Sequence, residues 1–321
     1  MNETKAQQGT FEYKHSSGDI FTYNNTTHVY TLNGIELPGT TTPLKLVNEL
    51  SWDESGKMTD KSQIIQAWAL KKMQEELCGT DELNEDGTPN IGTLDEYIIQ
   101  QDKLNLPISL QMVYDLVKKA KGAPMRKFKD AGISGTEIHE MIETLIIESI
   151  LTSNGIFSKI MLNDYKETPQ VCNFINWAIE HKVKFLFSEE PIYSKEWMNC
   201  GTVDFICEID GKILIGDIKT NGDKRRYGGR MIKGKWVEDM SKPQSDIHIP
   251  ALWQTGCYGK MATEEGARKL IDRFDGVVVV NIKKSGEFDK NLDVRYDYNV
   301  DSLIKAYEHV LGLYKAFRSK Y

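Results

Sequence analysis

Gly201-Thr-Val-Asp-Phe-Ile-Cys-Glu-Ile-Asp-Gly-Lys-Ile-Leu-Ile-Gly-Asp-Ile-Lys-Thr220 reads as two β-rich runs joined at Asp210-Gly211, a dipeptide favoured in two-residue type I′ hairpin turns. Such a turn pairs Ile209 with Lys212. Counting back along both strands then sets Asp204 opposite Asp217 and Thr202 opposite Lys219. Because strand side chains alternate with period two, Asp204, Asp217 and Lys219 emerge on one face of the sheet. The flanking residues Val203, Phe205, Ile206, Ile213, Leu214 and Ile215 are apolar, as in a central strand pair buried on both faces. Charged groups almost never occupy such places unpaired.

Two carboxylates directly across a hairpin repel each other by ~0.2–1 kcal/mol when exposed, and by more when buried. A divalent cation offsets that repulsion. Magnesium suits the pair because it takes one or two carboxylates and fills its remaining positions with water and phosphate oxygens. Lys219 can then supply positive charge to a developing phosphorane and orient an attacking water. On these residues alone the alternative is a solvated acidic pair with Lys219 as its surface ion-pair partner.

Outward from the hairpin, the chain reads as alternating elements. Strand-like Phe21–Tyr23 and Val29–Leu32 are separated by turn residues, and a helix over Asp60–Cys78 stops at Gly79. Helices follow at Leu94–Leu104 and Ser109–Lys121. Ser134-Gly-Thr-Glu137 reads as a capping box that opens a helix with Ile138, Met141, Ile142, Leu145 and Ile146 on one stripe, which puts His139 in its first two turns. A helix over Pro169–His181, strands at Lys184–Phe187 and Ile192–Tyr193, the hairpin, a helix from Pro250 to Glu264, a strand Val277–Lys283 and a helix Leu303–Phe317 complete the run.

The pattern of Asp204 followed by Asp217-Ile218-Lys219 resembles the signature of the PD-(D/E)XK nuclease superfamily, specifically its RecB-like exonuclease branch. Three further stretches carry the likeness. Gly135-Thr-Glu-Ile-His139 matches an upstream G-x-x-x-H, Gln254-Thr-Gly-Cys-Tyr258 matches a downstream Q-x-x-x-Y, and a Glu before the hairpin is matched by Glu189 or Glu190, with Glu189 favoured by spacing. His28-Val-Tyr-Thr-Leu-Asn-Gly34 and Pro38-Gly-Thr-Thr-Thr-Pro43 are similar to phage-type and mitochondrial genome maintenance exonucleases, without evident chemistry of their own. The resemblance implies an α/β fold with a restriction-endonuclease-like core (helix, three strands, helix, strand; a mixed sheet flanked by helices) and N-terminal β-hairpin and helical additions. Residues 1–130 would form the additions and 131–321 the core. It further implies magnesium, with manganese substituting, held by His139, Asp204, Asp217 and Ile218. Lys219 would assist the water, Glu189 would position a metal-bound water or second ion, and Gln254 and Tyr258 would support the site. The implied activity is DNA hydrolysis from ends, in recombination, repair or DNA processing. The partners would be linear DNA, including single-stranded ends, and a recombination or single-strand-binding protein. A structure-specific or restriction-type endonuclease and a catalytically inactive DNA- or partner-binding module are the alternatives.

Composition bounds these readings. The 321 residues are 40% hydrophobic and 27% charged, ordinary for a globular chain. No apolar run reaches the ~20 residues that span a bilayer, and Met1–Thr10 is polar, so the expectation is no membrane and a cytoplasmic location, or the host cytoplasm if phage-encoded. Cys78, Cys172, Cys200, Cys207 and Cys257 are scattered and form no C-x-x-C pair, which argues against an iron–sulfur cluster. A net charge of −7 opposes general nucleic-acid binding and requires a local patch. Lys224, Arg225, Arg226, Arg230, Lys233 and Lys235, interleaved with Tyr227 and Trp236, form such a basic island, read here as a loop in which Arg225, Arg226 and Arg230 grip phosphates.

Overall fold

In a computed structural model of the chain, residues 9–24, 26–48, 50–52, 58–80, 83–84, 86, 88–220, 225–232 and 235–318 are described. Asp210 (φ 49°) and Gly211 (φ 74°) are both left-handed, as a type I′ turn requires, and Ile209 pairs with Lys212. The ladder continues through Glu208–Ile213, Cys207–Leu214 and Ile206–Ile215 to Phe205–Gly216, the register counted from the turn.

The elements are β1 (Thr10–Lys14), β2 (Ile20–Asn24), β3 (Val29–Leu32), β4 (Ile35–Glu36), α1 (Thr41–Asn48), β5 (Leu50–Trp52), β6 (Met58–Asp60), α2 (Lys61–Cys78), α3 (Thr93–Lys103), α4 (Leu110–Ala120), α5 (Ala123–Ser153), α6 (Met161–Asp164) and α7 (Pro169–Glu180). There follow β7 (Lys184–Ser194), β8 (Asn199–Ile209), β9 (Lys212–Lys219), β10 (Arg226–Ile232), β11 (Lys235–Gln244), α8 (Ile249–Thr263), β12 (Gly276–Asn281), β13 (Val294–Asp297) and α9 (Val300–Arg318).

The protein is mixed α/β, built on a five-stranded sheet in the order β13-β12-β9-β8-β7. β12 runs parallel to β9, and the other neighbours are antiparallel. Val277–Val280 are four consecutive β-branched residues, all fully buried, and they serve both faces. On one face Phe205, Leu214, Ile218, Val278 and Val280 pack with Ile142 and Ile146 of α5 and Phe174 and Trp177 of α7. On the other, Ile206, Ile215, Val277 and Val279 pack with Leu252 and Met261 of α8 and Leu303 and Tyr307 of α9. A meander, β1-β2-β3-β4, adds a smaller cluster in which Phe21, Tyr23, Tyr30 and Leu32 meet Tyr193 and Cys200.

Residues 1–48 and 137–321 make up one compact unit, and residues 49–136 make up a second. In the second unit α2 stops at Gly79, whose φ is +73°, and Ser109 accepts the Met112 N–H as the N-cap of α4.

Four expectations are corrected. The helix does not open at Ser134, because α5 begins at Ala123 and passes through Ser134–Glu137, so His139 sits mid-helix. Met141 lies off the buried stripe at 38% exposure. The two short strands before the hairpin are one strand, β7, which accommodates Pro191 because it is the sheet edge and needs no outward donor there. The basic island is a two-stranded ribbon, β10–β11, rather than a loop.

Gly216 pairs with Phe205 and lies under its ring, where a Cβ would stand 2.0 Å from the ring atom Cε2. Gly216→Ala is expected to lower unfolding free energy by about 1–3 kcal/mol through overpacking, and Phe205→Ala by about 3–5 kcal/mol through the cavity it leaves. Urea denaturation followed by circular dichroism checks both.

Candidate active site

The β8–β9 ladder ends at Phe205–Gly216, and one step further Asp204 Oδ2 accepts the Ile218 N–H at 2.7 Å. A side-chain oxygen there replaces the backbone acceptor, and the strands part. N–H and C=O of one strand residue point the same way, so the Ile218 carbonyl also faces the β8 side, toward Asp204. β9 meanwhile stays paired with β12 as far as Lys219–Asn281, which holds Asp217 at 1% exposure.

Lys219 Nζ lies 2.7 Å from both Asp217 carboxylate oxygens and is aligned to donate to Oδ1. Oδ2 is buried without a hydrogen-bond partner. Burial raises the Asp217 pKa to about 6; the Lys219 ammonium opposes the shift and the Asp204 carboxylate adds to it. For Lys219 burial acts downward, but the Asp217 and Asp204 charges outweigh it and the ammonium is held above its usual pKa. His139 of α5 feels both Asp217 and Lys219, while burial lowers its pKa and favours the neutral imidazole, the form that donates a lone pair to a metal.

From α8, Gln254 directs Oε1 toward Lys219 Nζ at 3.5 Å, the outer edge of a hydrogen bond. Its Nε2 donates to the Tyr258 hydroxyl at 2.7 Å, and the Lys219 ammonium, which can only donate, decides which end of the amide faces it. Tyr258 in turn lies against Gly201, where a Cβ would stand 2.5 Å from its ring.

The two glutamates of β7 differ in geometry. Glu190 is bound by Arg268 at 2.5 Å, whereas Glu189 falls between the pairs Ser188–Phe205 and Glu190–Val203, directly across from Asp204. Glu189 is left-handed, at φ 50°. That conformation costs a non-glycine residue on the order of 1–3 kcal/mol and clusters at functional sites.

The basic island behaves differently from its expected role. Arg225 donates to both oxygens of the buried Asp293, at 2.8 and 2.5 Å, and is a structural ion-pair partner rather than a free phosphate ligand. Asp293 also lies 3.8 Å from the fully buried Lys283, which pairs with Asp246. Lys224 and Lys233, and the side chains of Arg226, Arg230, Lys235 and Trp236, lie outside the described residues. Sequence reasoning missed this Arg225–Asp293–Lys283–Asp246 network; the only signal was Lys283 at the end of an apolar strand, where a lone charge needs a partner.

No protein-family model matches the chain, and no curated protein matches it in sequence. Among the described residues, no three His, Cys, Asp or Glu side chains form a metal-holding group, and no helix is long and apolar enough to cross a membrane.

Two outcomes follow from these contacts. Glu189→Gly removes the left-handed strain and is expected to leave the protein as stable as wild type or up to about 1 kcal/mol more stable, whatever it does to activity; a clear loss in urea denaturation would contradict the strain assignment. Lys283→Ala leaves Asp246 and Asp293 short of a buried counter-charge and is expected to cost about 3–5 kcal/mol in the same assay.

Proposed function

We propose that this protein is a metal-dependent DNA exonuclease with a restriction-endonuclease-like core. The observation that carries the reading is the convergence of Asp204, Asp217 and Lys219 at an opening in the centre of the sheet, with one buried Asp217 oxygen left without a hydrogen bond. Support comes also from the element order α5, β7, β8, β9, α8, β12 and from the parallel β9–β12 pairing.

The donors fit magnesium or manganese. Asp204 and Asp217 offer carboxylate oxygens and Ile218 a carbonyl turned to the same side, while His139 does not join the two carboxylates in a metal-holding group; magnesium asks for no more than one or two carboxylates besides water and substrate oxygens. When bound, the cation supplies Lewis-acid polarisation of the phosphate and lowers the pKa of water.

The chain's own residues do the rest. Asp217 holds the Lys219 ammonium beside the site, where its positive charge stabilises charge developing on phosphoryl oxygens and its protons orient water. Gln254, hydrogen-bonded to Tyr258, limits the directions that Lys219 can take. Glu189, across from Asp204, adds a carboxylate to position water. In sequence the β10–β11 ribbon carries Arg226, Arg230 and Lys235, a local run of basic residues for phosphates in a chain of net charge −7. End-directed rather than internal cleavage, and a role in DNA processing with a recombination or single-strand-binding partner, belong to the resemblance.

Digestion of end-labelled linear DNA and covalently closed circles, with magnesium, manganese or EDTA, tests the proposal. Wild type is expected to degrade linear DNA only, EDTA to stop it, and Lys219→Ala to lower the rate by about 10²–10³-fold or more. Cutting of circles would favour an endonuclease, and no cleavage by folded protein would leave a binding module. Magnesium is expected to raise the melting temperature of wild type but not of Asp217→Asn. Asp217 must lose its proton to bind the cation, so magnesium affinity is expected to fall as pH drops through about 6. Calorimetric titration on either side of that pH checks the direction.

A further inference from the structure

We propose that a cavity beside Asp204 binds the terminal nucleoside of a DNA strand, accepting an end with a free hydroxyl and disfavouring one with a terminal phosphate. This rests on the nuclease reading and specifies the substrate end for the same site. The cavity measures about 370 Å³ and is lined by Tyr23, Tyr30, Thr40, Glu189, Thr202 and Tyr258, among others. Its lining reaches neighbours of the site residues without including Asp204, Asp217 or Lys219. Thr202 lies on the same sheet face as Asp204, Glu189 stands across from Asp204, and Tyr258 holds Gln254.

Its size and chemistry select the occupant. The volume is at the small end of ligand pockets and suits one sugar and base rather than a duplex. The walls are rich in hydroxyls: Tyr30 and Thr202 touch at 2.8 Å, Tyr23 contacts His28 Nδ1 at 3.2 Å, and Thr40, Thr41 and Thr42 complete one side. These groups hydrogen-bond sugar hydroxyls and base edges. Among the described residues no lysine or arginine lines the cavity; besides its tyrosines the ionisable lining groups are His28, in contact with the Tyr23 hydroxyl, and the Glu189 carboxylate, so a phosphate dianion entering it would meet a carboxylate with no lysine or arginine to balance it.

In sequence, the basic residues of this region follow Lys219 on the other side of the site. On the β12 side of Lys219, Asn281 donates to the Asp293 carbonyl, and Asp293 anchors Arg225, where the chain enters the basic ribbon. On the β7 side lies the cavity with its carboxylate. A strand with its uncharged terminal nucleoside in the cavity and its phosphates running toward the ribbon matches both sides, with the first phosphodiester over Asp204 and Asp217.

The test uses one single-stranded oligonucleotide sequence, prepared with hydroxyl or phosphate at the 5′ end and at the 3′ end in all four combinations. kcat/KM is measured for wild type with magnesium, and Kd for Lys219→Ala with EDTA. A phosphate on one particular end is expected to lower kcat/KM and raise Kd by about tenfold or more. Gly39→Phe adds bulk at the cavity wall: Gly39 lines this cavity and the adjoining one, and a Cβ there meets no atom within 4 Å. This variant is expected to reduce cleavage of hydroxyl-ended strands to the phosphate-ended level, and Thr202→Val, nearly isosteric, to erode the same preference should the larger substitution disturb folding. Equal values for all four oligonucleotides would overturn the proposal, as would a preference for phosphate carried by Arg318 in the adjoining cavity, or an end preference that survives both substitutions. If nothing is cleaved, the nuclease reading fails and Kd alone decides the pocket; if no oligonucleotide binds, both fail.

Discussion

The hydrogen bond from the Ile218 N–H to Asp204 Oδ2 stands where a backbone carbonyl would otherwise continue the central ladder, and the chemistry of the site depends on that exchange. In a continued β8–β9 pairing Asp204 would project from the sheet face instead of accepting a backbone N–H of β9. With a side chain accepting instead, the strands part while β9 remains paired to β12, so Asp217 is held rigidly at the floor of an opening. Apolar packing on both faces keeps that floor dry. The same dryness pushes the Asp217 pKa up and leaves one of its oxygens without a hydrogen bond. That oxygen still lies 2.7 Å from the Lys219 ammonium, so an ion pair rather than an aligned hydrogen bond offsets the cost of burying it.

Charge placement follows the same logic. The chain is acidic overall, yet Lys219, Lys283 and Arg225 are all drawn inward to carboxylates. Lys219 faces the opening and is available to chemistry. Lys283 and Arg225 serve architecture, tying the entry of the β10–β11 ribbon, through Asp293, to the end of β12; Asp246, next to the ribbon's exit, binds the same Lys283. Buried ion pairs of this kind add little net stability over apolar packing but are costly to break, so they fix a position more than they strengthen a fold.

Local patterns carried most of the architecture. Turn chemistry at Asp210-Gly211 decided the hairpin and its register from Ile209–Lys212 to Phe205–Gly216, because these depend only on residues adjacent in the chain or opposite in a strand, whereas the expected Asp204–Asp217 and Thr202–Lys219 pairs lie beyond the end of the ladder. Periodicity located α2, α3, α4, α7, α8 and α9 to within a few residues. It failed where tertiary packing overrode a local signal. The Ser134 box is a good cap, yet α5 runs through it, and Glu189-Glu190-Pro191 reads as a break, yet an edge strand tolerates both the proline and a left-handed glutamate.

What the sequence alone determined, then, is the carboxylate and lysine constellation and the sheet that carries it. The partners of the remaining charges, the conformation of Glu189 and the cavity beside Asp204 were decided only in three dimensions. Arg225 looks like a phosphate ligand until Asp293, 68 residues away, takes its guanidinium, and the cavity wall joins Tyr30 to Thr202 across 172 residues. No window of sequence holds such pairs, because they form when the packing of whole elements brings distant side chains together.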